Sequence, residues 1–152
     1  MRTPPDAAPR SASRPTLTVA LLATLALASL AAGCRHADAD VEPGRLSLDE
    51  VQARLGQPGV YLFDANPREM YDAKHVPGAR WVQWDHVTRT DLPSERDATL
   101  IFYCALEACS ASGASAKAAI HLGYSRVFVM PGGILGWKKA GKPIEKSPAK
   151  ES

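Results

Sequence analysis

The sequence predicts an α/β domain, an open and mainly parallel β-sheet flanked by helices on both faces. Three observations carry that expectation. Short apolar runs alternate with helical segments from "VYLF" at 60–63 to "SRVFVM" at 125–130, and strands that alternate with helices pair in parallel beneath them. The run "TLIFY", Thr99 to Tyr103, is β-branched, aliphatic and aromatic without a polar alternation, as in a strand covered on both faces. At 152 residues and 45% hydrophobic content, the chain has room for one domain with a real core.

The elements follow in order. "SLDE", Ser47 to Glu50, has the pattern of a capping box, and Leu48, Val51 and Leu55 give the short helix behind it an apolar stripe ending at Gly56. Val60 to Phe63 reads as a strand with Asp64 at its end. Asn66 as cap and Pro67 at the first helical position then start another helix. "HVPGARWVQW", His75 to Trp84, passes through a Pro-Gly turn into a third strand, and 86–97 is a polar loop. After the strand at 99–103, the alanine-rich stretch Ser110 to Leu122 reads as a helix closed by Gly123. Ser125 to Met130 is a further strand. Gly132 and Gly133 turn the chain into a last short helix carrying Ile134 and Trp137. Trp81, Trp84 and Trp137 are expected to pack in the core or at its rim.

The amino-terminal region differs in kind. Arg2, Arg10 and Arg14 precede an uncharged run from Leu17 to Gly33. A basic start, an apolar centre and small residues at its end describe a signal peptide over 1–33. "LAAGC", Leu30 to Cys34, resembles a bacterial lipobox, with Leu30 one residue further from the cysteine than usual. That resemblance implies lipidation of Cys34, export by the general secretory route and a membrane anchor in the cell envelope; ordinary cleavage near Ala31 or Ala32 is the alternative. Residues 34–44 would be a flexible tether, 45–146 the folded domain and 147–152 a disordered tail. Residues 1–33 hold Arg2, Arg10, Arg14 and Asp6, so removing them leaves fifteen basic against fifteen acidic residues. A near-neutral remainder speaks against nucleic acid as a partner. No Cys/His spacing suggests a metal site. An oxidising compartment would allow Cys104 and Cys109 to pair.

Cys104 stands where the strand at 99–103 ends and a helix is about to begin, which is where sheets of this class bind ligands. Helix-initial N–H groups lack intrahelical partners and carry the positive end of the dipole, so a thiolate there is stabilised and its pKa falls. The small residues of "ALEACS", Ala105 to Ser110, would let the backbone curl around such a sulfur. The plain alternative is a buried apolar cysteine.

Three motifs in order resemble the rhodanese-like domain family: "LFDANPREMYDAKHVPGA" at 62–79, Tyr103-Cys104, and "VFVMPGGILGWKKAGKP" at 127–143. The resemblance implies Cys104 as catalytic nucleophile and Ala105, Leu106, Glu107, Ala108, Cys109 and Ser110 as the substrate-binding loop. It implies transfer of sulfane sulfur from a small donor, thiosulfate or a persulfide, to cyanide or a thiol, a thioredoxin-like protein among the candidate acceptors. Neither metal nor organic cofactor is required, and a monomer suffices. The loop carries an acid, Glu107, and no cation, so doubly charged thiosulfate is disfavoured as donor. Asp64 is expected to bond nearby backbone, with a supporting role behind the active loop as the alternative. Cys109 is either a resolving cysteine or a buried one. His75 is expected to be a turn and packing residue. Alternatives to sulfur transfer are a Cys104/Cys109 thiol–disulfide protein and a non-catalytic binding or sensor module. A phosphatase or arsenate reductase would need an arginine six residues after the nucleophile, where Ser110 stands.

Overall fold

The computed structural model describes residues 41–148. The expected signal peptide, Cys34, most of the expected tether and residues 149–152 lie outside the described residues. The elements are β1 (Gly44–Arg45), α1 (Leu48–Gln52), β2 (Val60–Asp64), α2 (Arg68–Ala73), β3 (Arg80–Trp81), β4 (Thr99–Tyr103), α3 (Ala111–His121), β5 (Arg126–Val129) and α4 (Gly133–Lys139). The five strands form one sheet in the order β1-β5-β4-β2-β3, and every pairing is parallel. This is the α/β class expected from the alternation of segments.

Period-two alternation along the strands divides the core into two layers. Phe63, Leu100, Phe102, Val127 and Val129 point to one face and meet Ala116 and Ala119 of α3. Ser112 and Ser115 are buried on the same helix, whose small residues let it lie close to the sheet. Leu62, Ile101 and Tyr103 point to the other face and pack with Val51 of α1 and with Ile134 and Trp137 of α4. All five residues of the central strand β4 are buried, which explains its unbroken apolar character. Across β2 and β4, the stacked rings of Phe63 and Phe102 have centroids 5.0 Å apart.

The Ser47–Glu50 capping box is present in both directions, with the Ser47 N–H donating to the Glu50 carboxylate at 2.8 Å and the Glu50 N–H donating to the Ser47 hydroxyl. At α2 the start differs from the expectation. Pro67 is the cap and no side chain caps the helix; Asn66 lies one residue outside it, its N–H donating to Asp64 Oδ1 at 2.8 Å and its carbonyl accepting from Trp81 Nε1. After the Pro-Gly turn the third strand is limited to Arg80–Trp81, which pair with Phe63 and Asp64 at the end of β2. His75 instead forms an isolated antiparallel bridge with Glu145. Gly44, placed at the end of the tether from sequence, already pairs with Phe128 in β5. Ser147, the first residue of the expected tail, donates its N–H to the Asp72 carbonyl. Among the described residues no helix is long and apolar enough to cross a membrane.

Candidate active site

Chain direction creates the site. The chain leaves β2 toward β3 on one side and leaves β4 toward β5 on the other. The carboxyl ends of β2 and β4 therefore flank a topological switch point, where open parallel sheets hold ligands. Cys104 follows β4 at that point, and residues 105–110 lead from it into α3.

The loop is held from behind by α4. The Ile134 N–H donates to the Cys104 carbonyl at 2.9 Å, and the Leu135 N–H donates to the Ala105 carbonyl at 3.0 Å. Two helix-initial donors, which would otherwise lack partners, are thus engaged by the loop that follows β4. Peptides are planar, and none here is cis. Fixing those two carbonyls toward α4 aims the N–H groups of Ala105 and Leu106 the opposite way. Cys104 packs on that opposite side, with the α3 layer of the core. The approach of α4 depends on Gly133, which has φ +58°. A Cβ there would lie 2.5 Å from the Ala105 oxygen and 2.6 Å from the Cys104 oxygen.

Cys104 and Cys109 are joined by a disulfide, with their Cα atoms 6.4 Å apart. Around the bonded Cys104 sulfur the near polar atoms are the Cys109 carbonyl at 3.3 Å, the Leu106 carbonyl at 3.8 Å and the Ser112 hydroxyl at 3.5 Å. The Cys109 N–H donates to the Leu106 carbonyl, closing a turn over 106–109. A cradle of N–H groups from 105 to 110 is an expectation for the ionised thiolate, and the bonded loop presents carbonyls instead. The two sulfurs differ in access. Cys104 is 1% exposed, whereas Cys109 is half-buried and lines a cleft of about 370 Å³ with Pro43, Arg45, Leu106, Ser110 and Val129.

The loop's acid has found a cation. Glu107 pairs with Arg45 of β1 at 2.6 Å, both side chains largely exposed. Arg45 was not foreseen, because 62 residues separate it from Glu107 and only the β1–β5 pairing brings it to the loop. Ser112 was also missed as a neighbour of the sulfur; its place one turn into α3 was the available signal. Ala105, Leu106, Ala108 and Ser110 stay on the loop, with Leu106 44% exposed.

Asp64 is fully buried but lies on the other side of the sheet from Cys104. Its register partner is Tyr103, whose side chain points to the α1 and α4 layer. Asp64 Oδ1 accepts from the Asn66 N–H, while Asp64 Oδ2 and Asn66 Nδ2 make no hydrogen bond. Burial pushes the Asp64 carboxyl up from its ordinary value, opposed mainly by that backbone N–H. Burial, reinforced by the Asp64 charge, likewise pushes the Tyr103 hydroxyl up. The Tyr103 oxygen accepts from the Val76 N–H at 3.0 Å, tying the His-Val-Pro-Gly turn to β4. His75 is buried, stacked on Tyr71 and 2.8 Å through Nδ1 from the Tyr71 carbonyl. Both residues brace the sheet end.

A family model described as "Rhodanese-like domain" matches residues 47–140. Among solved structures, the BH2092 protein from Bacillus halodurans superposes with a TM-score of 0.64 at 20% identity, over 85% of this chain and 87% of that one. The rhodanese-like domain of the Alr3790 protein from Anabaena sp. gives 0.59 at 24% identity, over 74% of this chain and 89% of that one. The thiosulfate sulfurtransferase from Pseudomonas aeruginosa gives 0.57 at 23% identity, over 72% of this chain and 21% of the other. At these identities the likeness is one of fold.

The contact between α4 and the loop makes Gly133 the most sensitive glycine of the site. Gly133→Ala is expected to cost about 2–3 kcal/mol in backbone strain and displacement, read as a shift of the urea midpoint. Amide exchange at Ile134 and Leu135 should accelerate as their bonds to 104 and 105 lengthen. A variant as stable as the parent, with both amides equally protected, would contradict this reading.

Proposed function

The chain belongs to the rhodanese-like domain family, and on that premise we propose that it is a sulfurtransferase or persulfide carrier acting through Cys104. The observation that carries the reading is the position of Cys104 at the switch point, with its own carbonyl and that of Ala105 turned back toward α4. In the reduced protein the Cys104 thiolate attacks the outer sulfur of a donor. The donor's sulfur–sulfur bond breaks, its remainder leaves as thiolate or sulfite, and Cys104 becomes a persulfide. An acceptor thiolate then takes the outer sulfur and the Cys104 thiolate departs, completing a double displacement. Glu107 is matched by Arg45, so the loop mouth offers no surplus positive charge. A singly charged persulfide suits it better than doubly charged thiosulfate.

Cys109 adds a second exit. Its thiolate can attack the inner sulfur of the Cys104 persulfide, forming the Cys104–Cys109 disulfide and releasing hydrosulfide. Electrons balance without a further oxidant. The presence of that disulfide in the structure also favours a second reading, a thiol–disulfide redox protein in which the pair itself is the working group. In either case the domain would act in a bacterial cell envelope, exported and tethered through lipidated Cys34, with a small sulfur compound and a thiol, such as that of a thioredoxin-like protein, as partners.

Intact-mass measurement separates the readings. Reduced protein treated with a small persulfide donor should gain one sulfur, a gain that Cys104→Ser abolishes and Cys109→Ser makes longer-lived. Absence of any added sulfur in both the parent and Cys109→Ser, with loss of two hydrogens requiring both cysteines, would refute sulfur transfer and support the redox reading.

For the anchor, cells fed labelled fatty acid should label the full chain and not Cys34→Ala. Label retained by Cys34→Ala would remove the lipobox assignment.

A further inference from the structure

We propose that the Cys104–Cys109 disulfide is opened from one end only: an external thiolate enters the cleft beside β1, attacks Cys109, and expels Cys104 as the thiolate. The inference deepens the reading of Cys104 as sulfur-transfer nucleophile and rests on it for what the released thiolate then does. The choice of sulfur rests on geometry alone.

Thiol–disulfide exchange is a displacement at one sulfur, with the nucleophile approaching in line and the other sulfur leaving. Access decides which sulfur is struck, and the stability of the departing thiolate helps decide the rate. Both considerations point to Cys109. Cys104 is 1% exposed and packs among Phe102, Ala116 and the rest of the α3 layer, and while the disulfide holds, the Leu106 and Cys109 carbonyls lie against its sulfur, so in the bonded form a nucleophile is shut out from it. Cys109 borders the open cleft of about 370 Å³, whose lining includes Pro43, Arg45 and Leu106 but not Cys104.

The leaving side is prepared as well. The Ser112 hydroxyl lies 3.5 Å from Cys104 Sγ and can donate to the negative charge as it forms. Arg45 stands at the entrance, paired with Glu107. That pairing offsets the acid which would otherwise repel an incoming thiolate.

The balance is closed. An incoming thiolate RS⁻ forms a sulfur–sulfur bond to Cys109 while the Cys104–Cys109 bond breaks, leaving Cys109–S–S–R and Cys104–S⁻. A second thiolate attacks the R sulfur, releases RSSR and frees Cys109. Two external thiols are oxidised and the protein disulfide is reduced. Cys104 is thus freed in the first step, while Cys109 still carries the reductant's mark. The mixed disulfide on Cys109 also prevents Cys109 from attacking a newly formed Cys104 persulfide. Reopening and protection of the sulfur carrier would then be the same event.

The test uses the full chain in its disulfide form, verified by intact mass, and glutathione as the thiol. After brief exposure, N-ethylmaleimide traps free thiols and peptide mapping locates each modification. Glutathione on Cys109 with maleimide on Cys104 should exceed the reverse arrangement by at least about tenfold. A comparable or inverted ratio overturns the proposal, as does failure of the native chain to hold the disulfide. A second measurement covers an adduct too short-lived to trap. Gly113 lines the cleft, and a Cβ built there meets nothing within 4 Å, so a side chain can start there and Gly113→Leu narrows the entrance. It should slow opening by glutathione by more than about fivefold, and an unchanged rate overturns the proposal. Sulfur loading of Cys104 in pre-reduced protein is read separately. Its failure would remove the proposed function and leave this map of adducts standing.

Discussion

The site depends on two hydrogen bonds between a helix start and a loop. Ile134 and Leu135 donate to the carbonyls of Cys104 and Ala105, and Gly133 is the residue that lets the two backbones come so close. The contact satisfies donors that every helix leaves open at its start. It also sets the direction of the peptides that follow Cys104, and with it which polar groups can face the sulfur. The closing Gly-Gly and Trp motif is therefore part of the site's construction. Trp137, buried behind the loop with its indole N–H on the Pro143 carbonyl at 2.7 Å, anchors the helix that holds the loop in place.

Two chemical states of that loop follow from five residues. With Cys109 bonded to Cys104, the turn over 106–109 folds inward and carbonyls lie nearest the sulfur. With the bond open, the N–H groups of Ala105 and Leu106 are the groups already aimed toward the thiolate side. In the proposed cycle the buried sulfur carries the labile atom, and the half-buried sulfur, which lines the cleft, meets the reductant. Burial divides the roles, and charge plays a smaller part: Arg45 and Glu107 offset each other at the mouth, exposed and of modest energetic weight.

Much of this was legible in the residues because local patterns carry local structure. The unbroken run at 99–103 announced a strand buried on both faces, and Cys104 announced itself by following it. Gly123 closed α3 with φ +96°, and the Ser47–Glu50 box formed as its spacing requires. What escaped was information held by pairing between distant segments. Arg45 reaches Glu107 only because β1 lies beside β5. Asp64 bonds nearby backbone as expected, but its parity with Leu62, which places it on the far face against Tyr103, is set by register. Asn66 fitted a helix cap by composition, but the helix starts one residue later, with Pro67 as the cap, and the Asn66 backbone N–H bonds the Asp64 carboxylate.

The central claim is that the loop after β4 stabilises an ionised sulfur at residue 104. The rate of alkylation of Cys104 against pH, measured in Cys109→Ser so that no disulfide competes, tests it directly. Stabilisation by the loop's N–H groups gives a midpoint clearly below the value of about 8.5 that a free cysteine shows. A midpoint at or above that value would mean that burial governs the thiol and that the loop's donors do not reach it.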